Sequence, residues 1–295
     1  MEPADPTHLS EKEGADTVVN NHRLRRGMYI LPSLFTVGTL ICGYYAILTT
    51  LQGAQLMAAG ASGALASSTF DRASMAIGLA ILFDGLDGRI ARLTNSTSNF
   101  GREFDSLADV ITFGLAPGLL AYSWGVRPAI AASQLPLMHH LRAIGWIITF
   151  AYLICGAARL ARFNIDSIKP SLDRRYFIGL PIPAAAGVIA AVVHWQKDPL
   201  TFWPIALVWL LAVLSLAFLM VSRVRYYSFK ALDLRRRRPY VTIIFIGLII
   251  WAIMFYSEPV LLILALTYAI SGVIYQISNR PRPSHPAASG EAKAP

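Results

Sequence analysis

The sequence predicts an all-α membrane protein, a bundle of about eight transmembrane helices. Two observations lead to this fold class. Of the 295 residues, 55% are hydrophobic and only 15% are charged, and the mean hydropathy is +0.50, whereas a soluble domain carries about 25% charged residues. The hydrophobic residues also form runs long enough to cross a bilayer, which takes about 17 to 25 residues. The composition therefore favours an integral membrane protein over a large soluble core.

The predicted spans follow one another along most of the chain. They lie at 29–51, 73–93, 103–124, 142–163, 178–195, 202–221, 240–256 and 259–277. A proline at the start of the last one predicts a tight helical hairpin. The expected organisation has five parts: a polar cytoplasmic tail at 1–28, a membrane core at 29–222, a basic cytoplasmic loop at 223–239, a C-terminal transmembrane hairpin at 240–277 and a disordered tail at 278–295.

The positions of lysine and arginine orient the bundle. The chain has 26 lysines and arginines. If the N-terminus is cytoplasmic and the spans alternate, all but four of them lie on the cytoplasmic side, and the four exceptions are Arg72, Arg127, Arg142 and Lys197. This asymmetry is the positive-inside pattern and places both termini in the cytoplasm. It also argues against nucleic acid as a partner, because nucleic-acid binding requires a basic face on the fold.

Residues 84–109, DGLDGRIARLTNSTSNFGREFDSLAD, concentrate charge in a mostly apolar chain. One helix end carries residues spaced i, i+3, i+4 and i+7: Asp84, Asp87, Gly88 and Ala91. The next carries residues spaced i, i+4 and i+8: Gly101, Asp105 and Asp109. Each set shares one helix face, and the turn-forming residues between them predict an antiparallel pair. We therefore expect four carboxylates to meet at the cytoplasmic edge of the bilayer.

Four carboxylates held away from water require compensation by positive charge. Oxygen ligands without histidine or cysteine favour Mg²⁺ or Mn²⁺ over zinc, and Mg²⁺ commonly binds a few carboxylates together with substrate phosphates. The small residues on the same faces leave room for such a ligand. The alternative is that the aspartates are solvated helix caps paired with arginines. Carboxylates inside membranes are usually functional, which favours the metal site.

The spacing D-x2-D-G-x2-A-R-x8-G-x3-D-x3-D resembles the signature of the CDP-alcohol phosphatidyltransferases at every fixed position. Those positions are Asp84, Asp87, Gly88, Ala91, Arg92, Gly101, Asp105 and Asp109. The resemblance implies transfer of a phosphatidyl group from a CDP-activated lipid to an alcohol, with release of CMP. It also implies that the four aspartates hold Mg²⁺ or Mn²⁺ and that Asp109 is the general base. Binding of the CDP-lipid would then fall to Thr36, Gly88, Ala91, Arg92 and Gly101.

Other stretches resemble the phosphatidylserine synthase branch of this family. They are FDSLADVITFGLAPG at 104–118, RLARFN at 159–164, GLPIPAAAG at 179–187 and MVSRVRYYSFK at 220–230. This resemblance implies CDP-diacylglycerol and L-serine as substrates, membrane lipids as surroundings and a homodimer. It further implies the bacterial inner membrane, with a polar active-site cavity that opens to the cytoplasm.

Three polar residues at the end of the fourth predicted span are candidates for the acceptor pocket. A serine carboxylate is best bound by an arginine fork or a helix N-terminus. We expect Arg159, Arg162 or Asn164 to contact this carboxylate or the lipid diphosphate. Alternatively, the two arginines are interfacial anchors. Two other functions stay open: the same chemistry with glycerol phosphate or inositol phosphate as acceptor, and, from another class, a divalent-cation transporter.

Overall fold

A computed structural model of the chain describes residues 34–93, 99–133, 138–167, 176–227 and 239–278. The predicted N-terminal tail, most of the basic loop and nearly all of the C-terminal tail lie outside these ranges. The α-helices are α1 (Leu34–Ala58), α2 (Gly63–Leu93), α3 (Asn99–Asp109), α4 (Ala116–Gly125), α5 (Arg127–Ala132), α6 (Met138–Ser167), α7 (Ile182–Gln196), α8 (Trp203–Val221), α9 (Pro239–Phe255) and α10 (Ser257–Ser278). A π-helical segment (Val110–Leu115) joins α3 to α4, and two strands, β1 (Tyr176–Ile178) and β2 (Arg225–Tyr227), complete the described fold.

The predicted helical membrane fold is confirmed in its main features. Within the described ranges, five helical segments are long and apolar enough to cross a membrane: Leu34–Ala58, Phe100–Ala132, His139–Ile165, Trp203–Val221 and Ser257–Ser278. They indicate an integral membrane protein. Helices also cover the other three predicted spans, but α2 carries several charges, α7 has 15 residues and α9 has 17. The count of eight spans therefore stays a prediction.

Helix α7 lies at the centre of the bundle. Most of its residues are buried, and it packs against α2, α4, α8 and α10. The turn that leads into it requires glycine: Gly179 has a φ of 82°, and a Cβ there would lie 2.4 Å from the backbone oxygen of Met220. Pro181 then caps the helix, and Pro183 lies in its first turn, where a proline costs no hydrogen bond.

The strands β1 and β2 form an antiparallel pair that the sequence did not predict. Tyr176 pairs with Tyr227, and Ile178 pairs with Arg225. As a result, the predicted fifth span begins with a strand residue and becomes helical only at Ile182. Three-residue strands are too short to show an alternating pattern, so the sequence predicted a helical span there and no strand. The pair packs against α10.

The π-helical segment packs against α1 and α6. A Cβ at Gly43 would lie 2.4 Å from the Thr112 hydroxyl oxygen, so the α1 backbone directly contacts this segment. Thr112 donates a hydrogen bond to the Thr39 carbonyl (3.2 Å), and Tyr152 of α6 donates one to the Phe113 carbonyl (3.0 Å). These contacts hold the C-terminal end of α3 between α1 and α6, where the aspartates lie.

Candidate active site

Three of the four aspartates that the spacing was expected to bring together converge from two helix ends. Asp84 and Asp87 lie near the end of α2, Asp105 lies on α3, and Asp109 ends α3. One carboxylate oxygen from each of Asp84, Asp105 and Asp109 lies within 4.8 Å of the other two. Asp109 is 8% exposed, whereas Asp84 and Asp105 are half-buried. Three of the four predicted ligands therefore form one compact oxygen cluster.

The fourth aspartate is held differently. Asp87 is buried and accepts a hydrogen bond at Oδ2 from the Thr36 hydroxyl of α1. The structure thus places Thr36, which the family resemblance assigned to lipid binding, against an aspartate. Asp87 lies outside the compact group of three, but its charge still acts on Asp109. The hydrogen bond ties α1 to α2 and fixes the direction of this carboxylate.

The charges around Asp109 are poorly balanced within the described residues. Asp84, Asp105 and Asp87 repel its carboxylate, and Arg159 of α6 attracts it. Its Oδ1 atom is buried and has no hydrogen-bond partner among the described residues. A buried carboxylate oxygen without a partner is costly. A cluster of carboxylate oxygens with a spare ligand atom fits a hard divalent cation.

Among the small residues of the signature, Gly88 borders open space within the described part of the structure. Gly88 is exposed, and a Cβ built on it would meet no atom of the described residues within 4 Å. Gly101 is half-buried near the start of α3. Ala91 and Arg92 lie in the last turn of α2, and their side chains are outside the described part of the structure. The space beside Gly88 would accept a ligand that lies against the helix backbone.

The acceptor candidates lie along the last turns of α6, beside α3. Asn164 donates a hydrogen bond from Nδ2 to the hydroxyl of Ser106 (2.9 Å), the residue that follows Asp105 in the sequence. The Arg159 guanidinium lies 5.9 Å from the ring centre of Phe163 and interacts electrostatically with Asp109. Arg162 is exposed. Arg159 therefore lies close enough to the cluster to attract the Asp109 carboxylate.

Sequence reasoning missed Tyr268 of α10, whose phenol lies close enough to the Arg159 guanidinium for the two groups to interact electrostatically. Tyr268 lies in a predicted span that carries no recognisable motif. Because Tyr268 and Arg159 are more than a hundred positions apart, no local pattern in the sequence reveals that they lie near each other.

A second polar group lies at the opposite end of the bundle, and we call it the distal cluster. It comprises Asp71, His194, Lys197, Ser257 and Glu258. Asp71 accepts a hydrogen bond from His194 Nδ1 (2.5 Å), which leaves Nε2 to accept one from the Ser257 hydroxyl (3.0 Å). Lys197 donates to Glu258 Oε1 (2.5 Å). No sequence motif predicted this cluster, which ties α10 to α7 and α2.

Comparison with known proteins gives one consistent result. The sequence model of the CDP-alcohol phosphatidyltransferase family matches residues 29–221. The chain is 35% identical over 223 residues to a CDP-diacylglycerol–serine O-phosphatidyltransferase of Helicobacter pylori, covering 75% of this chain and 82% of the relative. It is 34% identical over 205 residues to the enzyme of that name from Bacillus subtilis, covering 69% of this chain and 93% of the relative. A Saccharomyces cerevisiae protein of the same name is 35% identical over 136 residues, 44% of each chain.

Proposed function

The chain belongs to the CDP-alcohol phosphatidyltransferase family, and we propose that it transfers a phosphatidyl group from CDP-diacylglycerol to the hydroxyl of L-serine. The products are phosphatidylserine and CMP. The observation that carries the chemistry is the convergence of Asp84, Asp105 and Asp109 within 4.8 Å. Serine as the acceptor is supported by the names of the relatives, which cover most of the chain.

The reaction is a displacement at the phosphorus that carries diacylglycerol. The serine hydroxyl oxygen forms a bond to this phosphorus, the bond from the phosphorus to the bridging oxygen breaks, and the electron pair leaves with CMP. Asp109 accepts the hydroxyl proton. Because carboxylates are weak bases for an alcohol, this transfer depends on holding the hydroxyl close to the carboxylate in the reactive geometry.

Asp84, Asp87, Asp105 and Asp109 are the residues that would hold Mg²⁺ or Mn²⁺. A divalent cation at this position would neutralise the charge that develops on the diphosphate during transfer. Thr36 supports the arrangement by fixing Asp87 through its hydrogen bond. The proposal therefore names Mg²⁺ and Mn²⁺ as the two candidate metals.

The remaining signature residues would bind the donor and the acceptor. Gly88, Ala91, Arg92 and Gly101 would line the approach of the cytidine nucleotide, in keeping with the open space beside Gly88. Arg159, Arg162 and Asn164 would contact the serine carboxylate or the diphosphate. An active site that faces the cytoplasm of a bacterial inner membrane would admit the lipid from the leaflet and serine from the cytosol. Eight spans, cytoplasmic termini and a homodimer belong to the same proposal.

Release of CMP by the purified protein tests this function. The protein in detergent is given CDP-diacylglycerol and Mn²⁺ or Mg²⁺, with serine, glycerol phosphate, inositol phosphate and glycerol offered separately. We expect release with serine alone and loss of release with Asp109→Asn. Release with a different acceptor would keep the carboxylate chemistry and refute serine. If the protein is folded and binds metal but none of the four acceptors supports CMP release, the transferase would be refuted and cation transport favoured.

A further inference from the structure

Two adjoining hollows lie where α4 and α5 pack against α6. The first, which we call the apolar groove, has a volume of about 130 Å³, and its walls come from residues within 114–122 and 146–153. The second, which we call the arginine hollow, has a volume of about 380 Å³ and is lined by Tyr122, Arg127, Ile130, Ala131 and Arg142. Because Tyr122 lines both, the apolar groove meets two arginines at one end.

Close packing of α4 against α6 holds the walls of both hollows. A Cβ at Gly118 would lie 3.4 Å from the Thr149 carbonyl oxygen, so the two helix backbones approach each other at this point. A Cβ at Gly145 would lie 3.3 Å from the ring of Tyr122. Tyr122 and Ile130 also pack against a small buried core. The hollows are therefore features of the helix packing, because the residues that border them are fixed from behind.

The two arginines of the arginine hollow lie at the opposite end of the bundle from the aspartates. Arg127 follows Asp109 by 18 residues along one helical segment, and Arg142 precedes Arg159 by 17 residues within α6. At 1.5 Å per residue these separations are about 27 Å and about 26 Å. The hydrocarbon core of a bilayer is about 30 Å thick. Two helices thus place the arginine hollow near the membrane face opposite to the aspartate site.

The charge of the arginine hollow is not balanced within the described part of the structure. Neither Arg127 nor Arg142 forms an ion pair with a described carboxylate, and none lines the hollow. These arginines are also two of the four cations that fall on the side where the positive-inside pattern disfavours them. Two guanidinium groups at one small hollow repel each other. A phosphate would supply the opposite charge and accept the paired hydrogen bonds that a guanidinium donates.

The apolar groove beside the arginines favours a lipid over a soluble anion. A phospholipid places its phosphate at the membrane interface and its acyl chains in the hydrocarbon layer, which is the order in which the arginine hollow and the apolar groove follow each other. Basic pockets between transmembrane helices bind anionic lipid head groups in this way. Tyr122, at the junction of the two hollows, is the type of residue that is enriched at the interface.

We propose that Arg127 and Arg142 bind the phosphate of an anionic phospholipid from the leaflet opposite to the aspartates, with an acyl chain in the apolar groove between α4 and α6. This lipid is distinct from the CDP-activated donor, whose diphosphate belongs at the other membrane face. The site therefore goes beyond the proposed function and does not depend on which alcohol accepts the phosphatidyl group.

Lipid binding by the full-length protein tests the inference. The wild type and the double variant Arg127→Gln/Arg142→Gln are purified in one detergent and titrated with dioleoyl phosphatidylglycerol or dioleoyl phosphatidylcholine, and bound lipid is counted by native mass spectrometry. We expect the wild type to prefer phosphatidylglycerol. The double variant should bind phosphatidylglycerol at least about tenfold more weakly, the loss typical of hydrogen bonds to a charged group, and should bind the two lipids alike. Its unfolding temperature in lipid-free detergent should not fall, because both arginines are exposed.

The matched control is Arg72→Gln, which removes an exposed arginine on the same predicted side that lines neither hollow. It should keep the wild-type preference. Ala131→Trp fills the arginine hollow without a change of charge and should also weaken phosphatidylglycerol binding. Glycerol phosphate, which has the phosphate without the chains, should compete only weakly.

Three results would overturn the inference. The first is an unchanged preference in the double variant and in Ala131→Trp, or a loss of preference in Arg72→Gln. The second is effective competition by glycerol phosphate, which would mean that the site takes a soluble anion. The third is a double variant that keeps its lipid but no longer dimerises, which would make this face an interface between two copies of the chain.

Discussion

The two ends of helix α2 carry aspartates in opposite circumstances. At one end Asp71 is paired with His194, which in turn binds Ser257. At the other end, about 20 Å further along the helix axis at 1.5 Å per residue, Asp84 is grouped with Asp105 and Asp109. In the distal cluster each charged side chain has a hydrogen-bond partner, whereas the aspartate site places like charges together.

This difference separates structural polar groups from functional ones. A buried polar group that has its hydrogen bonds contributes to folding, and its loss is felt mainly in stability. A group of carboxylates with an unpartnered oxygen, such as Asp109 Oδ1, costs stability in the isolated chain. Such a cluster makes sense only if a ligand supplies the missing charge. The first three predictions test this contrast one charge at a time.

The largest effect is expected at Asp109. Replacing it with asparagine removes the proposed base, so CMP release should fall by about 10²–10⁴-fold, the usual contribution of general base catalysis. The unfolding temperature without metal should stay the same or rise, because the substitution relieves repulsion from Asp84 and Asp105. Activity and thermal unfolding measured on the same preparation check both statements. A loss of activity that merely follows a loss of folded protein would contradict them.

A smaller and opposite effect is expected in the distal cluster. Asp71→Ala removes the carboxylate that orients buried His194, so the free energy of unfolding should fall by about 1–3 kcal/mol. The kcat/KM of the protein that remains folded should match the wild type. Denaturant unfolding gives the first quantity and CMP release gives the second. A large fall in kcat/KM at unchanged stability would mean that the distal cluster takes part in catalysis.

The smallest effect is expected at the exposed ion pair of the distal cluster. Lys197→Met should cost at most about 1 kcal/mol, because exposed pairs are screened by water and salt. Its hydrogen bond to Glu258 raises the pKa of Lys197. The contribution of the pair is therefore fully present below the ordinary lysine pKa and is lost as the pH rises through the raised value. Between neutral pH and strong alkali, unfolding measured against pH for both proteins should show curves that approach each other as Lys197 loses its proton.

The aspartate site was predictable because its residues are close in sequence. Asp84 and Asp87 share one helix face, and Asp105 and Asp109 share a face of the next helix. Few residues separate the two helices, so the two faces are expected to lie close together. The distal cluster was not predictable, because Asp71 and His194 are 123 positions apart and meet only through packing. Tyr268 has the same character. Local spacing reveals a site built by neighbouring elements, whereas contacts between distant helices depend on side-chain packing that periodicity does not encode.

The fold shows the same difference: local sequence patterns predict the helices, but they do not predict contacts between distant segments. Apolar runs located the helices, but α7 begins at Ile182 and not at the predicted residue 178. The helix α2 begins at Gly63, ten residues before the predicted 73, because its first residues are small and polar and do not register as a membrane span. The pairing of β1 with β2 depends on two short segments about fifty residues apart. The composition therefore predicts where the helices lie, whereas the exact residues at which they begin and end depend on packing against neighbouring elements.

The most direct test of the account is thermal unfolding with and without Mn²⁺ for the wild type, Asp105→Asn and Asp71→Ala. If the site holds a divalent cation, a hundredfold excess of Mn²⁺ over its Kd should stabilise the wild type by about 2.7 kcal/mol. Asp71→Ala should start lower and gain the same increment, and Asp105→Asn should gain little. An equal gain in Asp105→Asn, or no gain in the wild type, would contradict the claim that these carboxylates form the metal site.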